Sequence, residues 1–469
     1  MRKALLIAII LAIVALLVAP GIVGIEAKTQ YQSLISQLES SGLKSVKQNY
    51  QQGLLTSNAT SEWEINIPQQ PDGTPASKLN FTIHSNITHG PYSLEYGVMQ
   101  AVAIIDTQLK PAQSSILPAG YGANIRTRME FDGSSHNRFN LSAIKQSSVK
   151  DKPAVIFDGA TGSIIFGPGY NKAIVDLAAP SLRIKDKGTF EVVISGMSLK
   201  SESTQGIVGL MLGGGAFAID SITATPATDE PAVSMQKLQF SFDSSATEEN
   251  AEIAASYKVD SLTANRESYG PIILDLRLSN LSTPALGAFQ QAINKLNSQQ
   301  LSPNQQGIAM FGLMMTHGAA FLKNDPKLAI EKLHVATPDG LIKGHLEIQT
   351  DELLWTELFN VNVLVNKLKI DINLQMPEQI LHSIFKQQAH QMLTMQIQQQ
   401  QLLGMDVSAP DDRQLDEQTT LMANQQLDNL LSQEFVVLDG SEVKAVASLR
   451  DGLFSINGKS LPLPMLTAP

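Results

Sequence analysis

The chain reads as an α+β, β-dominated protein: an N-terminal transmembrane helix followed by an elongated antiparallel β-sheet body, with helices mainly in the second half. Three observations predict it. Residues 4–25 carry no charge, long stretches beyond residue 56 alternate apolar and polar side chains, and helix-period segments gather after residue 283. The expected divisions are an anchor over 1–25, a β-rich region over 26–280 and an α+β region over 281–469.

The first element follows Arg2 and Lys3, where "ALLIAIILAIVALLVAPGIVGI" runs unbroken from Ala4 to Ile25. At about 1.5 Å per residue this run is roughly 33 Å long as a helix, the depth of a bilayer core. A cleaved signal peptide is the competing reading, but its apolar region is shorter and ends in an A-x-A-like site. Leu17 and Pro20 around Ala19, or Ile25 before Ala27, make poor cleavage sites. A retained anchor with Arg2 and Lys3 on the cytoplasmic side places the rest of the chain outside, which in a bacterium is the periplasm.

After the anchor, Tyr31, Leu34, Ile35, Leu38 and Leu43 recur at helical spacing, predicting a helix within 27–50. The period then changes to two. "SKLNFTIHSNITH" places Leu79, Phe81, Ile83, Ile87 and His89 on one parity and Asn80, Thr82, His84, Asn86 and Thr88 on the other, a strand with one dry and one wet face. Turn signals separate the strands that follow: Asp158-Gly159 and Thr161-Gly162, Pro338-Asp339-Gly340, Asp451-Gly452 and Asn457-Gly458. The "GLMLGGG" of 209–215 reads as a turn or bulge. Helices are expected at "PALGAFQQAINKL" after the Thr283 cap, over 303–323, from Pro377 onward, and over "DEQTTLMANQQLDNLLSQ". Disorder is expected in "GMDVSAPDDRQ" between the last two.

Composition narrows the function classes. Hydrophobic residues make up 43% and charged residues 17% of 469, the net charge is −10, and no basic patch is present. Nucleic acid is therefore excluded as a partner. With no cysteine, disulfides and thiolate metal sites are excluded. His382 and His390 lie eight residues apart, about 12 Å along a helix, too far to share one metal. There is no nucleophile elbow and no phosphate loop, and the acidic pairs Asp351-Glu352 and Asp411-Asp412 are adjacent residues of the kind that face opposite ways. No catalytic residue, metal ligand or cofactor site is assigned, and the expected protein is not an enzyme.

Two features remain as candidate sites. Residues 307–322, "GIAMFGLMMTHGAAFL", are uncharged, too short for a second span, and spaced to bury Ile308, Phe311, Met315 and Leu322. The apolar side chains Met310, Phe311, Met314 and Met315 suit the lining of a groove for an adaptable lipid-like ligand. The second feature is "THGPYSL", where His89 is either a catalytic imidazole or a buried pin at a strand end, with Gly90 and Pro91 stopping the strand.

The basic start and apolar run, "YQQGLLTSNATSEWEI", "ITHGPYSL", "ATPDGLIKGHLEI" and the closing "LRDGLFSINGKSLPL" together resemble the YdgA/YihF family of bacterial inner-membrane proteins, a domain of unknown function. The marks are His89, Gly90 and Pro91, and Gly452, Asn457 and Gly458 at the end. The resemblance implies a periplasmic, membrane-anchored, β-rich body and supplies no catalytic residues. A looser architectural likeness to AsmA-type envelope proteins suggests an apolar sheet groove. The reading is thus a non-enzymatic inner-membrane envelope protein binding an apolar or lipid ligand. The alternatives are an assembly or scaffold partner of an envelope complex, as a homodimer or with another envelope protein, and, further off, a hydrolase of envelope polymers using His89.

Overall fold

A computed structural model describes residues 43–461 apart from 54–55, 68–76, 90–91, 94–96, 99–100, 112–120, 149–152, 187, 229, 298–302 and 403–410. The chain divides into two compact units, residues 1–249 with 283–317 and residues 250–282 with 318–469.

The first unit is an antiparallel meander: β1 (Leu43–Gln52), β2 (Thr56–Ile67), β3 (Ser77–His89), β4 (Ala103–Pro111), β5 (Ala123–Met129), β6 (Ser135–Leu141), β7 (Ala160–Phe166), β8 (Lys172–Lys185), β9 (Phe190–Gln205), β10 (Met211–Pro226) and β11 (Val233–Ala246), each paired to the next. Two short strands, Ile144–Gln146 and Ala154–Phe157, extend the sheet beside β8. The alternation seen in the sequence sets the sides. In β5 and β6 every second residue is buried, and Trp63, Leu79, Phe81, Ile125, Phe139 and Phe157 join one core.

A line of irregularities crosses the last four strands at one level. Pro180 of β8 cannot donate to the ladder. Gly196 of β9 and Lys237 of β11 have left-handed backbones (φ 67° and 49°), and Asp220 of β10 lies between them, its carboxylate against the space a Gly196 side chain would need. The pairings skip this level, running Ala179↔Met197 then Ser181↔Ser195, and Ile219↔Leu238 then Ser221↔Gln236. On each strand the apolar positions slip phase by one residue across it. In β8 they go from Val175, Leu177 and Ala179 to Leu182 and Ile184. In β9 they go from Val192 and Ile194 to Met197 and Leu199, in β10 from Phe217 and Ile219 to Ile222 and Ala224, and in β11 from Val233 and Met235 to Leu238 and Phe240. Val175, Leu177, Ala179, Leu182, Ile184, Ile194 and Met197 nevertheless pack on the same core. A register fault in one strand would turn its apolar set to the opposite side. Four stacked faults, acting like aligned bulges, keep the set on one side instead.

The second unit repeats the scheme with β12 (Asn250–Val259), β13 (Ile272–Ser282), β14 (Lys327–Thr337), β15 (Gly340–Thr350), β16 (Leu368–Pro377), β17 (Glu442–Arg450), β18 (Leu453–Ile456) and β19 (Lys459–Leu461), paired in that order. Its wet side carries Arg277 held between Glu252 and Glu331, Lys327 on Glu347 at 2.8 Å, and Arg450 on Asp371 at 2.5 Å. The described residues also hold five α-helices: α1 (Thr283–Asn297), α2 (Pro303–Leu322), α3 (Val361–Lys367), α4 (Glu378–Leu402) and α5 (Asp412–Ser432). Asp411 caps α5 by accepting from Gln414 N–H at 2.7 Å, and Phe385, Ala423 and Leu427 join α4 to α5.

The structure corrects several expectations. The fold class is a β-dominated antiparallel body with helices mainly in the second half, without the transmembrane helix: among the described residues no helix is long and apolar enough to cross a membrane. The stretch Ala4–Ile25 on which that helix was expected lies outside the described residues, as do residues 404–410 of the stretch expected to be disordered, whereas its end, 411–414, is ordered as the cap and first turn of α5. Leu43–Tyr50, expected as helix, belongs to strand β1, which gains a full ladder with β2 that no isolated helix would have. Thr161-Gly162 lies inside β7, the turn coming at 168–170. Gly213, Gly214 and Gly215 lie inside β10, after the turn at 207–209.

Helix α2 departs most. Ile308 and Phe311 are 73% and 68% exposed, and Met310, Met314 and Met315 are exposed too, so the face expected to be buried is open. With no charged residue anywhere in α2, its period carries no sign of which side should face inward. The described contacts of α2 lie toward its C-terminal end, where His317 meets the Phe289 ring edge-on and Gly318 abuts Trp355.

Candidate apolar binding face

Directly paired residues of neighbouring strands share a side of the sheet, so the registers extend the core side beyond the core. Leu177 pairs Leu199, Leu199 pairs Phe217, and Phe217 pairs Phe240. Past the line of faults, Leu182 pairs Ile194, Ile194 pairs Ile222, and Ile222 pairs Met235. The core thus continues as an apolar strip over β9, β10 and β11. There its burial becomes partial: Ile219 stays buried, Leu199, Phe217, Leu238 and Phe240 are half-buried, and Phe190, Val233 and Phe242 are 43%, 41% and 40% exposed.

Local chemistry shapes the strip. Phe240 and Phe242 stack with ring centroids 6.2 Å apart. Phe242 pairs Gly215, and a side chain on Gly215 would meet the Phe242 ring at 2.9 Å, so the glycine lets the ring lie down on the strand. Ser244 donates to Gly213 C=O at 2.9 Å and accepts from its N–H at 3.1 Å. The opposite side of these strands is charged and wet, with Lys172 on Glu202 at 2.6 Å and Lys200 near Asp176 at 3.9 Å. On that side an open groove over β4 to β8 is lined by Asp106, Arg126, Arg138, Asn140, Ser163 and Asp176. Arg126 donates to Asp106 there at 2.7 Å. Such a self-paired, exposed set is an ordinary solvated face.

His89 ends β3 at 7% exposure, on the same side as Leu79, Phe81, Ile83 and Ile87. Its Nε2 lies 3.1 Å from Ser57 Oγ. A serine beside an imidazole is the nucleophile–base arrangement of acyl-transfer enzymes. Here Ser57 is 1% exposed, so a substrate carbonyl has no approach to its oxygen in this geometry. Gly90 and Pro91 lie outside the described residues. Gly452 has φ 74° in the β17–β18 turn, where a side chain would strike Asn366. Asn457 ties three segments: its amide donates to Glu434 C=O at 2.8 Å, its carbonyl oxygen accepts from Val446 N–H at 2.9 Å, and Gly458 follows at φ 82°. These closing residues therefore do structural work. Met310, Phe311, Met314 and Met315 sit on exposed α2, and no described contact brings them to the strip.

Sequence reasoning missed the strip, although its signal is present: four successive strands each skip from i+2 to i+3 in their apolar spacing. Among the described residues no group of three His, Asp or Glu side chains could hold a metal. His382 bonds Asn424 at 2.9 Å between α4 and α5, a structural contact. Burial pushes the Tyr121 hydroxyl up to about 12. Tyr121 stands in the packed core, away from any open surface.

Neither the curated proteins nor the solved structures hold a match to the chain. The family model described as "Bacterial protein of unknown function (DUF945)" matches residues 1–464. The chain belongs to this bacterial family.

Proposed function

We propose that the protein is a non-enzymatic envelope protein of the bacterial inner membrane, its body in the periplasm, that binds a lipid-like apolar ligand on the open side of β9–β11. The carrying observation is that the core side of the sheet continues for three strands and is only partly covered among the described residues. Exposed contiguous apolar surface is costly in water and marks interaction sites. The resemblance of the His89 and Asn457-Gly458 motifs to the YdgA/YihF family agrees with this placement, as does the uncharged stretch at 4–25. Lipid mass spectrometry on the protein purified from membranes tests the reading. A stoichiometric acyl lipid, lost on Phe240→Asp with Phe242→Asp, is expected; an unliganded wild type would contradict it. Cell fractionation with a reporter fused after residue 461 tests the compartment, and a purely cytoplasmic signal would refute that part.

A second reading, self-association, is favoured by the exposed Ile308 and Phe311 of α2. Light scattering should then show a dimer that Ile308→Ser with Phe311→Ser converts to monomer. A wild-type monomer at high concentration would end this reading.

A further inference from the structure

The apolar strip is not uniform along the strands. At the end nearest the β9–β10 turn its positions are Ser201 and Ser203 of β9, Gly213 and Gly215 of β10, and Phe242 and Ser244 of β11, joined by Ser201↔Gly215, Gly215↔Phe242, Ser203↔Gly213 and Gly213↔Ser244. Ser201 and Ser203 are half-buried, on the side where Leu199 and Met197 follow. Toward and past the line of faults the positions are Leu199, Phe217, Ile219, Leu238, Ile222 and Met235, all apolar. Serines and glycines, with Phe242 over Gly215, thus occupy one end, and apolar side chains alone occupy the other. From Gly215 to Ile222 the strip runs seven residues, roughly 23 Å at strand rise.

We propose that the ligand is an acyl amphiphile bound in one direction, with its polar head at Ser201 and Ser203 and its chain along β9–β11 over Phe217 and Phe240 toward Met235. This rests on the reading of the strip as a lipid site and adds the class and polarity of the ligand. The head end offers two serine hydroxyls that can donate to a carboxylate or ester oxygen. The Phe242 ring fills the space beside Gly215 and leaves Ser201 and Ser203 as the polar positions there, whereas no polar side chain on the apolar side interrupts the strip between Leu199 and Met197 or between Phe217 and Ile219. A ligand lying in the reverse sense would put its hydrocarbon on the serines and leave its head over Ile222 and Met235 without a partner, a desolvation that disfavours it.

Three methionines mark the track: Met211 two residues before Gly213, Met197 beside the fault line, and Met235 beyond it. In the full chain with isotope-labelled methionine methyl groups, a long fatty acid spin-labelled next to its carboxylate should broaden Met211 more than Met235. The same acid labelled near its methyl end should reverse that order. Ser201→Val with Ser203→Val should abolish the difference while the acid still binds. The same order with both labels, or the opposite order, overturns the directional proposal while leaving the lipid site standing. No broadening of Met197, Met211 or Met235 with either label overturns the lipid site itself.

Discussion

The strands of 56–166 and those of 172–246 share one sheet and one period-two pattern, yet they differ in what covers their apolar side. In the first set Trp63, Phe81, Phe139 and Phe157 are 1–5% exposed. In the second, Phe190 and Phe242 stand at 40% or more. The strand pattern decides which side is apolar. It does not decide what closes over that side, because closure depends on the sheet coiling back on itself, a long-range property. The stacked faults at Pro180, Gly196, Asp220 and Lys237 make the difference instructive. A sheet needing no apolar side on β10 and β11 would gain nothing from phase slips that keep it.

The largest effect is expected inside the packed set. Trp63→Ala should cost about 3–5 kcal/mol, since the ring fills the core and its Nε1–H donates to Ser61 Oγ at 2.8 Å; chemical denaturation measures it. Phe157→Ala should cost a similar amount, whereas Phe242→Ala should cost under about 1 kcal/mol. Equal costs at the two phenylalanines would erase the contrast between the regions.

Next comes the fault line. Gly196→Ala forces a side chain into a left-handed position and against the Asp220 carboxylate, at about 1–3 kcal/mol. Its cost should fall on the second set, read as loss of amide protection in β8–β10 with the Trp63 region intact. His89→Ala, which leaves the 1%-exposed Ser57 hydroxyl without its imidazole, should cost about 1–3 kcal/mol.

The smallest effect is at Tyr121, buried with no hydrogen-bond partner for its hydroxyl among the described residues. Tyr121→Phe should change stability by less than about 1 kcal/mol at neutral pH. Its signature is alkaline. The folded pKa lies near 12 against about 10 unfolded, so the hydroxyl's contribution is complete below pH 10 and lost as pH rises toward 12. The variant should lack that part of the alkaline decline.

Much of this was legible in the residues. The alternation of 79–89, the turns at Asp339-Gly340 and Asp451-Gly452, and the helix that opens at Thr283-Pro284 carry local signals that tertiary structure had no reason to override. What escaped is non-local. Leu43–Gln52 becomes a strand only because β2 offers it a ladder. Gly213–Gly215 reads as a turn until Phe242 lies across it. The phase slips look like noise in any one strand and acquire meaning only when four registers are aligned. An uncharged helix such as α2 has no polar face from which its buried face could be inferred.

The central claim is that the partly covered strip over β9–β11 holds an acyl chain. Native mass spectrometry of the full chain beside its Phe240→Asp, Phe242→Asp variant tests it most directly. The prediction is an added lipid mass on the wild type and its absence from a variant with an unchanged denaturation midpoint. A wild type at its bare polypeptide mass, or a variant that keeps the lipid, would contradict it.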